Sequence, residues 1–191
     1  MSILRRARFW LRSMRRKQEF RRTYARDSVT AKPGPHSLVI VLDHLRPVGN
    51  AGAIVRSADG FGARAVYVVG TDHFNAGPAM NSLRNVPIRF FERFEDAHES
   101  LVAEGYTLFA LEPARNYEKP TFLHETTFPE KTAFVVGHET RGISFRPDEL
   151  EHVVSLTIAQ YGVVPCLNVS VAAGVAMYEY ARQHGKPGSP R

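Results

Sequence analysis

The chain has a single cysteine, Cys166, which excludes an internal disulfide and points to a reducing, cytoplasmic setting. No apolar run approaches the roughly 18–20 residues that cross a bilayer, and the N-terminus lacks the apolar core of a secretory leader. The turn at 49–52 reads Gly-Asn-Ala-Gly, without the G-x-G-x-x-G spacing of a dinucleotide fold, which counts against a nicotinamide enzyme. No second His or Cys stands at ligand spacing from His138, so no metal is expected. There is no internal repeat.

Acidic residues are scarce at the start. Positions 1–32 hold eleven Lys or Arg against Glu19 and Asp27, whereas the other 159 residues carry fourteen basic and seventeen acidic side chains. A near-neutral body with a concentrated cationic arm implies a polyanionic partner for the arm. Leu4, Ala7, Leu11 and Met14 recur at helical spacing with arginine opposite, which predicts a basic amphipathic helix over about residues 3–26. A solvated tail, a membrane-surface helix and an organelle transit peptide are compatible with that composition. RNA backbone contact by Arg5, Arg8, Arg12, Arg15, Arg16 and Arg22 is the favoured reading.

Beyond the arm the chain alternates. A Pro/Gly segment, "TAKPGPHS" (30–37), reads as a hinge ending the arm. Strand patterns at 37–43, 65–70, 88–91, 106–112, 132–137 and 152–158 alternate with helical patterns at 50–62, 78–85, 94–105 and 167–185. Continuous Val/Ile/Leu runs separated by helices predict an α/β domain, a mostly parallel sheet covered on both faces. The expected organisation is a basic extension over 1–32, one domain over 33–185 and a short tail over 186–191.

Chemistry can sit in three places. In "GNAGAIVRSADGFG", Asn50 is either a helix cap or a site residue, and Arg56 either a surface charge or a group reaching the same cleft. In "FVVGHETRGIS", a buried strand ends at Gly137, a residue that lets a ligand approach the main chain. Glu139 there is a helix-start carboxylate or the holder of a cation, and His138 reads as a loop residue rather than a catalyst. In "CLNVSVAAGVAMYEY", Asn168 and Ser170 are polar residues opening an apolar helix, and capping explains one of them. The face Val171, Gly174, Val175 and Tyr178 suits packing inside the chain or across a dimer.

Taken in order, "NAGAIVRSADGFG", "VVGHETRGIS" and "CLNVSVAAGVAMYEY" resemble the three signature motifs of the SpoU/TrmH family of RNA 2′-O-ribose methyltransferases, over about residues 37–183. The resemblance implies the SPOUT α/β fold with a C-terminal trefoil knot, and S-adenosyl-L-methionine as cofactor. It implies cofactor contacts at Leu111, Glu112, Gly137, Ile158 and Leu167. It further implies a homodimer, with the motif-one arginine reaching a site completed by the other subunit. The family's motif residues fall on Asn50, Arg56, Glu139 and Asn168. Cys166 departs from the pattern, standing where many members have Ser. The implied activity is methylation of a ribose 2′-hydroxyl in structured RNA, with tRNA favoured over rRNA because the arm is shorter than the RNA-binding domain of some ribosomal enzymes. An RNA-binding protein that keeps the fold without methyl transfer is the alternative.

Overall fold

The computed structural model describes residues 3–45 and 49–185, with side chains from Met14 onward apart from Arg16. The tail over 186–191 and the side chains of Arg5, Arg8, Arg12 and Arg16, expected to meet RNA, lie outside the described residues.

Six strands form one sheet: β1 Leu38–Asp43, β2 Ala65–Val69, β3 Ile88–Phe91, β4 Thr107–Leu111, β5 Thr132–Val136 and β6 Val153–Leu156. Their order is β3-β2-β1-β5-β4-β6, and every neighbouring pair is parallel. Among the described residues the α-helices are α1 Ile3–Asp27, α2 Gly49–Gly60, α3 Phe94–Ala103 and α4 Val169–His184.

The continuous apolar run of β1 serves two cores, because successive side chains of a strand point to opposite faces. Leu38, Ile40 and Leu42 pack with Ile54, Val55 and Ala58 of α2 and with Ala173, Ala176 and Met177 of α4. Val39 and Val41 face the other way, against Phe94, Ala97 and Leu101 of α3. After β1 the chain builds β2 and β3 on one side, then places β5, β4 and β6 on the other. The order therefore reverses between β1 and β5, and the crevice beyond the carboxyl ends of those strands is where open α/β sheets bind ligands.

The helical pattern at 78–85 is corrected by the structure. It forms two short 3-10 turns, Gly77–Ala79 and Ser82–Arg84, separated by Met80 at φ 53°. Pro78 suits only the first turn of a helix, and the segment is pressed onto α2: a Cβ on Gly52 would lie 2.5 Å from Asn75 O and 3.1 Å from Ala79 N.

The Pro/Gly segment is not a free hinge either. Lys32 N donates to Asn85 O, Gly34 N to Ala63 O and His36 N to Gly62 O. A side chain at 34 would overlap Gly62 O at 2.2 Å. The second half of α1 is docked as well. Phe20 is buried, stacked on Tyr24 and tilted against Phe74 at 4.6 Å, while Tyr24 donates to Ile88 O at 2.8 Å. Lys17 and Arg21 reach Asp72 at 2.6 and 3.0 Å.

Candidate functional site

Three loops meet beyond the carboxyl ends of the strands. Asn50 sits in the first turn of α2, Glu139 in the loop after β5, and Asn168 at the N-cap of α4. Asn50 Nδ2 donates to Glu139 Oε1 at 2.6 Å, and Asn168 Nδ2 donates to the same oxygen at 3.2 Å. A carboxylate only accepts, and one oxygen has lone pairs for two donors.

Asn168 is both cap and site residue. Its Oδ1 accepts from Ser170 N at 2.9 Å and from Ser170 Oγ at 2.6 Å. Those bonds use up the carbonyl side of the amide and leave the NH2 group facing Glu139. The two polar residues at the helix start thus have one joint role.

The loop carrying Glu139 is narrow. His138 and Gly142 exchange backbone bonds at 2.8 Å, and Gly142 takes φ 73°. A Cβ on Gly137 would lie 2.3 Å from the Gly142 carbonyl carbon, so glycine is required there by the loop's own closure. His138 Nδ1 accepts from Thr140 N at 3.1 Å, which makes it part of the turn. The loop's far end is held by Asp43, the last residue of β1. Asp43 is fully buried and accepts from Ser144 N at 2.5 Å and Ser144 Oγ at 2.9 Å.

Beside this cluster lies a cavity of about 580 Å³. Leu111, Glu112, Gly137, Ile158 and Leu167 all line it, as do Glu139 and Asn168. Two further lining groups were not anticipated: Thr157 Oγ1 and Gln160 Oε1 are buried with no hydrogen-bond partner among the described residues. Glu112 accepts from Tyr117, whose hydroxyl is raised above the ordinary phenol range by burial first and by that carboxylate second. Arg115 donates to Pro165 O at 2.6 Å, tying the loop after β4 to the exposed 161–166 segment. Cys166 lines the cavity at its exposed rim.

Arg56 stands apart from the cluster. It is exposed on α2, does not line the cavity and has no hydrogen bond or ion pair among the described residues. Arg15 and Arg22 are exposed on α1. Val171, Val175 and Tyr178 of α4 are exposed too, an apolar face whose one aromatic contact among the described residues is the edge-on packing of Tyr178 against Phe61. Among the described residues no group of three or more His, Cys, Asp or Glu could hold a metal, and no helix is long and apolar enough to cross a membrane.

Asp43, Thr157, Gln160 and Arg115 are the residues that sequence reasoning missed. Asp43 had one visible signal, being the only charged residue in "SLVIVLD". The others had none, because an unpaired polar atom is a property of packing.

Comparison with known proteins bears on this geometry. The family model described as the SpoU rRNA Methylase family matches residues 37–178. The chain is 29% identical over 154 residues to an uncharacterized tRNA/rRNA methyltransferase of Synechocystis, with 78% of this chain covered. It spans only 38% of that relative's length. It is 30% identical over 158 residues to a tRNA (guanosine(18)-2′-O)-methyltransferase of Thermus thermophilus, covering 79% of this chain and 77% of that protein. A solved structure concerned with 2-OH methylation of C/U34 on tRNA superposes with TM-score 0.67 at 28% identity, covering 78% of this chain and 97% of the other.

Proposed function

The chain belongs to the SpoU rRNA methylase family, and from that premise we propose that it transfers a methyl group from S-adenosyl-L-methionine to a ribose 2′-hydroxyl of structured RNA, tRNA in preference to rRNA. The observation that carries this reading is the convergence of Asn50 and Asn168 on Glu139 at the wall of a cavity that also takes in Leu111, Glu112, Gly137, Ile158 and Leu167. The tRNA preference is supported by the tRNA 2′-O-methyltransferase among the relatives.

The cavity suits the cofactor. Its volume of about 580 Å³ falls within the usual range for small-ligand pockets. Thr157 Oγ1 and Gln160 Oε1 are buried polar atoms that a ligand can satisfy. Leu111, Glu112, Gly137, Ile158 and Leu167 would hold it. When bound, S-adenosylmethionine supplies a methyl group activated by a sulfonium centre.

The chain's own residues do the rest. Glu139, gripped by two amides, fixes the spacing between the start of α2 and the start of α4, and so shapes the cavity wall. A neutral ribose hydroxyl is a poor nucleophile, and it gains reactivity as its proton is shared and its developing charge stabilised. Arg56 acts as a clamp on the neighbouring phosphate and a stabiliser of that charge, since a guanidinium keeps its proton across the accessible pH range. In-line alignment at near-attack distance supplies the remainder.

Arg56 does this in a homodimer, at the site of the other subunit. Two features support the assignment: it has no partner among the described residues of its own chain, and Val171, Val175 and Tyr178 leave an apolar face open. The trefoil knot belongs to the same proposal. It is supported by Thr157, which bonds through its backbone to both Thr121 and Leu123 and so marks where the returning segment meets the 121–123 segment. The domain is assigned to 33–185, with 1–32 as an RNA-binding extension.

The test is mass-spectrometric mapping of 2′-O-methyl groups on total RNA from cells with and without the gene, paired with methylation of tRNA and rRNA transcripts by purified protein. Loss of one ribose methyl in vivo, restored in vitro only with S-adenosylmethionine present, is expected. Cofactor binding without methylation of any RNA would favour the transfer-deficient RNA-binding alternative.

A further inference from the structure

We propose that Asp43 is a positioning residue for methyl transfer: its buried carboxylate sets the 137–144 loop that brings Glu139 to Asn50. The inference rests on the proposed function for its kinetic readout and on geometry alone for the rest.

Asp43 ends β1, at 0% exposure in the sheet's centre. A carboxylate so placed is costly unless its lone pairs are filled. Here three donors occupy most of them: Ser144 N at 2.5 Å, Ser144 Oγ at 2.9 Å and His44 Nδ1 at 2.7 Å. An ionised carboxylate only accepts, so the His44 proton sits on Nδ1.

The donors come from two directions. Ser144 closes the loop that begins at Gly137 and carries Glu139. His44 directly follows the last residue of β1. His44 takes φ 50°, an uncommon conformation for a side chain with a Cβ, and such backbone persists where its surroundings hold it. Its bond to Asp43 is one restraint, and His44 N to Val69 O at 3.2 Å is another. Just past Ser144, Phe145 stacks on Phe94 at 3.7 Å, which anchors the loop's exit to α3. One buried acceptor therefore ties the end of β1 to the far end of the Glu139 loop, and the 2.6 Å bond from Asn50 to Glu139 depends on that loop holding still.

A purely structural lock would lower stability everywhere it is removed. A positioning residue disturbs the 137–144 loop and the chemistry while the sheet stays intact. In Asp43→Asn the amide turns a donor toward at least one of the three donors it faced.

The experiment uses the full-length protein and compares wild type with Asp43→Asn, Ser144→Ala and Ser144→Thr. Amide hydrogen exchange in 137–144 is expected to rise at least about tenfold in Asp43→Asn, the loss of charge-assisted bonds being of that order, while β2 and α3 keep wild-type protection. Methyl-transfer kcat is expected to fall roughly 100-fold, as small misplacements do, with KM for RNA within about threefold. Ser144→Ala falls between, and Ser144→Thr, which keeps the hydroxyl, restores the wild-type values. Unchanged exchange in 137–144 overturns the inference whether or not the wild type methylates RNA, and so does an equal rise over the whole sheet. A wild type that methylates no RNA overturns the proposed function instead, and the exchange comparison still decides the role of Asp43.

Discussion

Asn50 and Asn168 stand 118 positions apart in the chain, yet Asn168 Nδ2 lies 3.4 Å from Asn50 Oδ1. Neither residue is a mere helix cap. Each amide also donates to Glu139 Oε1, so three loops of the sheet's carboxyl edge are joined through one oxygen atom. The surroundings are polar and open, and isolated surface hydrogen bonds contribute little to stability. The cluster's worth is in position.

Arg56→Ala and Glu139→Ala are each expected to lower methyl transfer by roughly 100-fold or more, as loss of one preorganised polar group does, with the affinity of Arg56→Ala for S-adenosylmethionine within about threefold of wild type. Because Arg56 is assigned to the partner's site, co-expressed Arg56→Ala and Glu139→Ala chains would form mixed dimers with one intact site. Activity of purified mixed dimers well above that of either variant is the expected result. No recovery would place Arg56 in the site of its own chain.

Thr157→Val and Gln160→Leu remove the two buried atoms that lack partners. Each substitution is expected to weaken S-adenosylmethionine binding by roughly 5- to 100-fold, the usual penalty for a missing buried hydrogen bond, while the ligand-free protein melts at an unchanged or higher temperature. Calorimetric titration together with thermal melts separates the two effects. Wild-type affinity in both variants would assign the atoms to the fold alone.

Asp27 ties the end of α1 to the body. Its carboxyl is held down to about 2, first by the hydrogen bond from Arg26 and then by that from Arg84. A depressed carboxylate pKa stabilises the folded state above the unfolded value, near 4, and that contribution is lost as pH falls from about 4 through about 2. Asp27→Asn is therefore expected to lower the melting temperature at pH 7 and to flatten its decline below pH 4. Parallel acid limbs for the two proteins would remove Asp27 from the account.

The basic extension is best tested without disturbing its docked half. Phe20 and Tyr24 pack on Phe74 and Phe90, so removing residues 1–30 would strip a piece of the core along with the charge. Deleting residues 2–14, or reversing Arg15 and Arg22 to Glu, is expected to weaken RNA binding and reduce its salt slope by roughly 0.7–0.9 for each phosphate no longer neutralised. Binding of S-adenosylmethionine stays the same. An unchanged salt slope would deny the helix a role in RNA binding.

The strands were legible from their apolar runs, unbroken and buried on both faces in β2 and β5, whereas β3 and β6 at the sheet's edges carry Arg89 and Ser155 and are only partly buried. The helices α1, α2, α3 and α4 were legible from their periodicity. The pattern at 78–85 misled because Pro78 and Asn81 sit at spacings a helix tolerates, whereas the contact that decides the matter, with Gly52 of α2, is distant in sequence. The segment 30–37 misled in a similar way: proline and glycine mark a change of direction but carry no information on whether the backbone finds partners. At the site, the identities of Asn50, Glu139 and Asn168 came from motifs and their meeting point from topology. Gly137 was read as room for a ligand, and the structure adds a nearer reason in Gly142. Asp43 was passed over because a single acid ending a strand looks like the first residue of a loop.

The placement of β1 between β2 and β5 has a consequence for synthesis on the ribosome. β2 emerges soon after β1 and can pair with it at once, and β3 then pairs with β2, but β5 follows only after β3, α3 and β4 have been made. Through that interval the nascent chain presents the full apolar length of β1 along an unpaired edge, a template for pairing with other chains. Slow translation between residues 92 and 131 would prolong the exposure, and crowded polysomes or a shortage of chaperone would reveal it as insoluble protein of unaltered sequence.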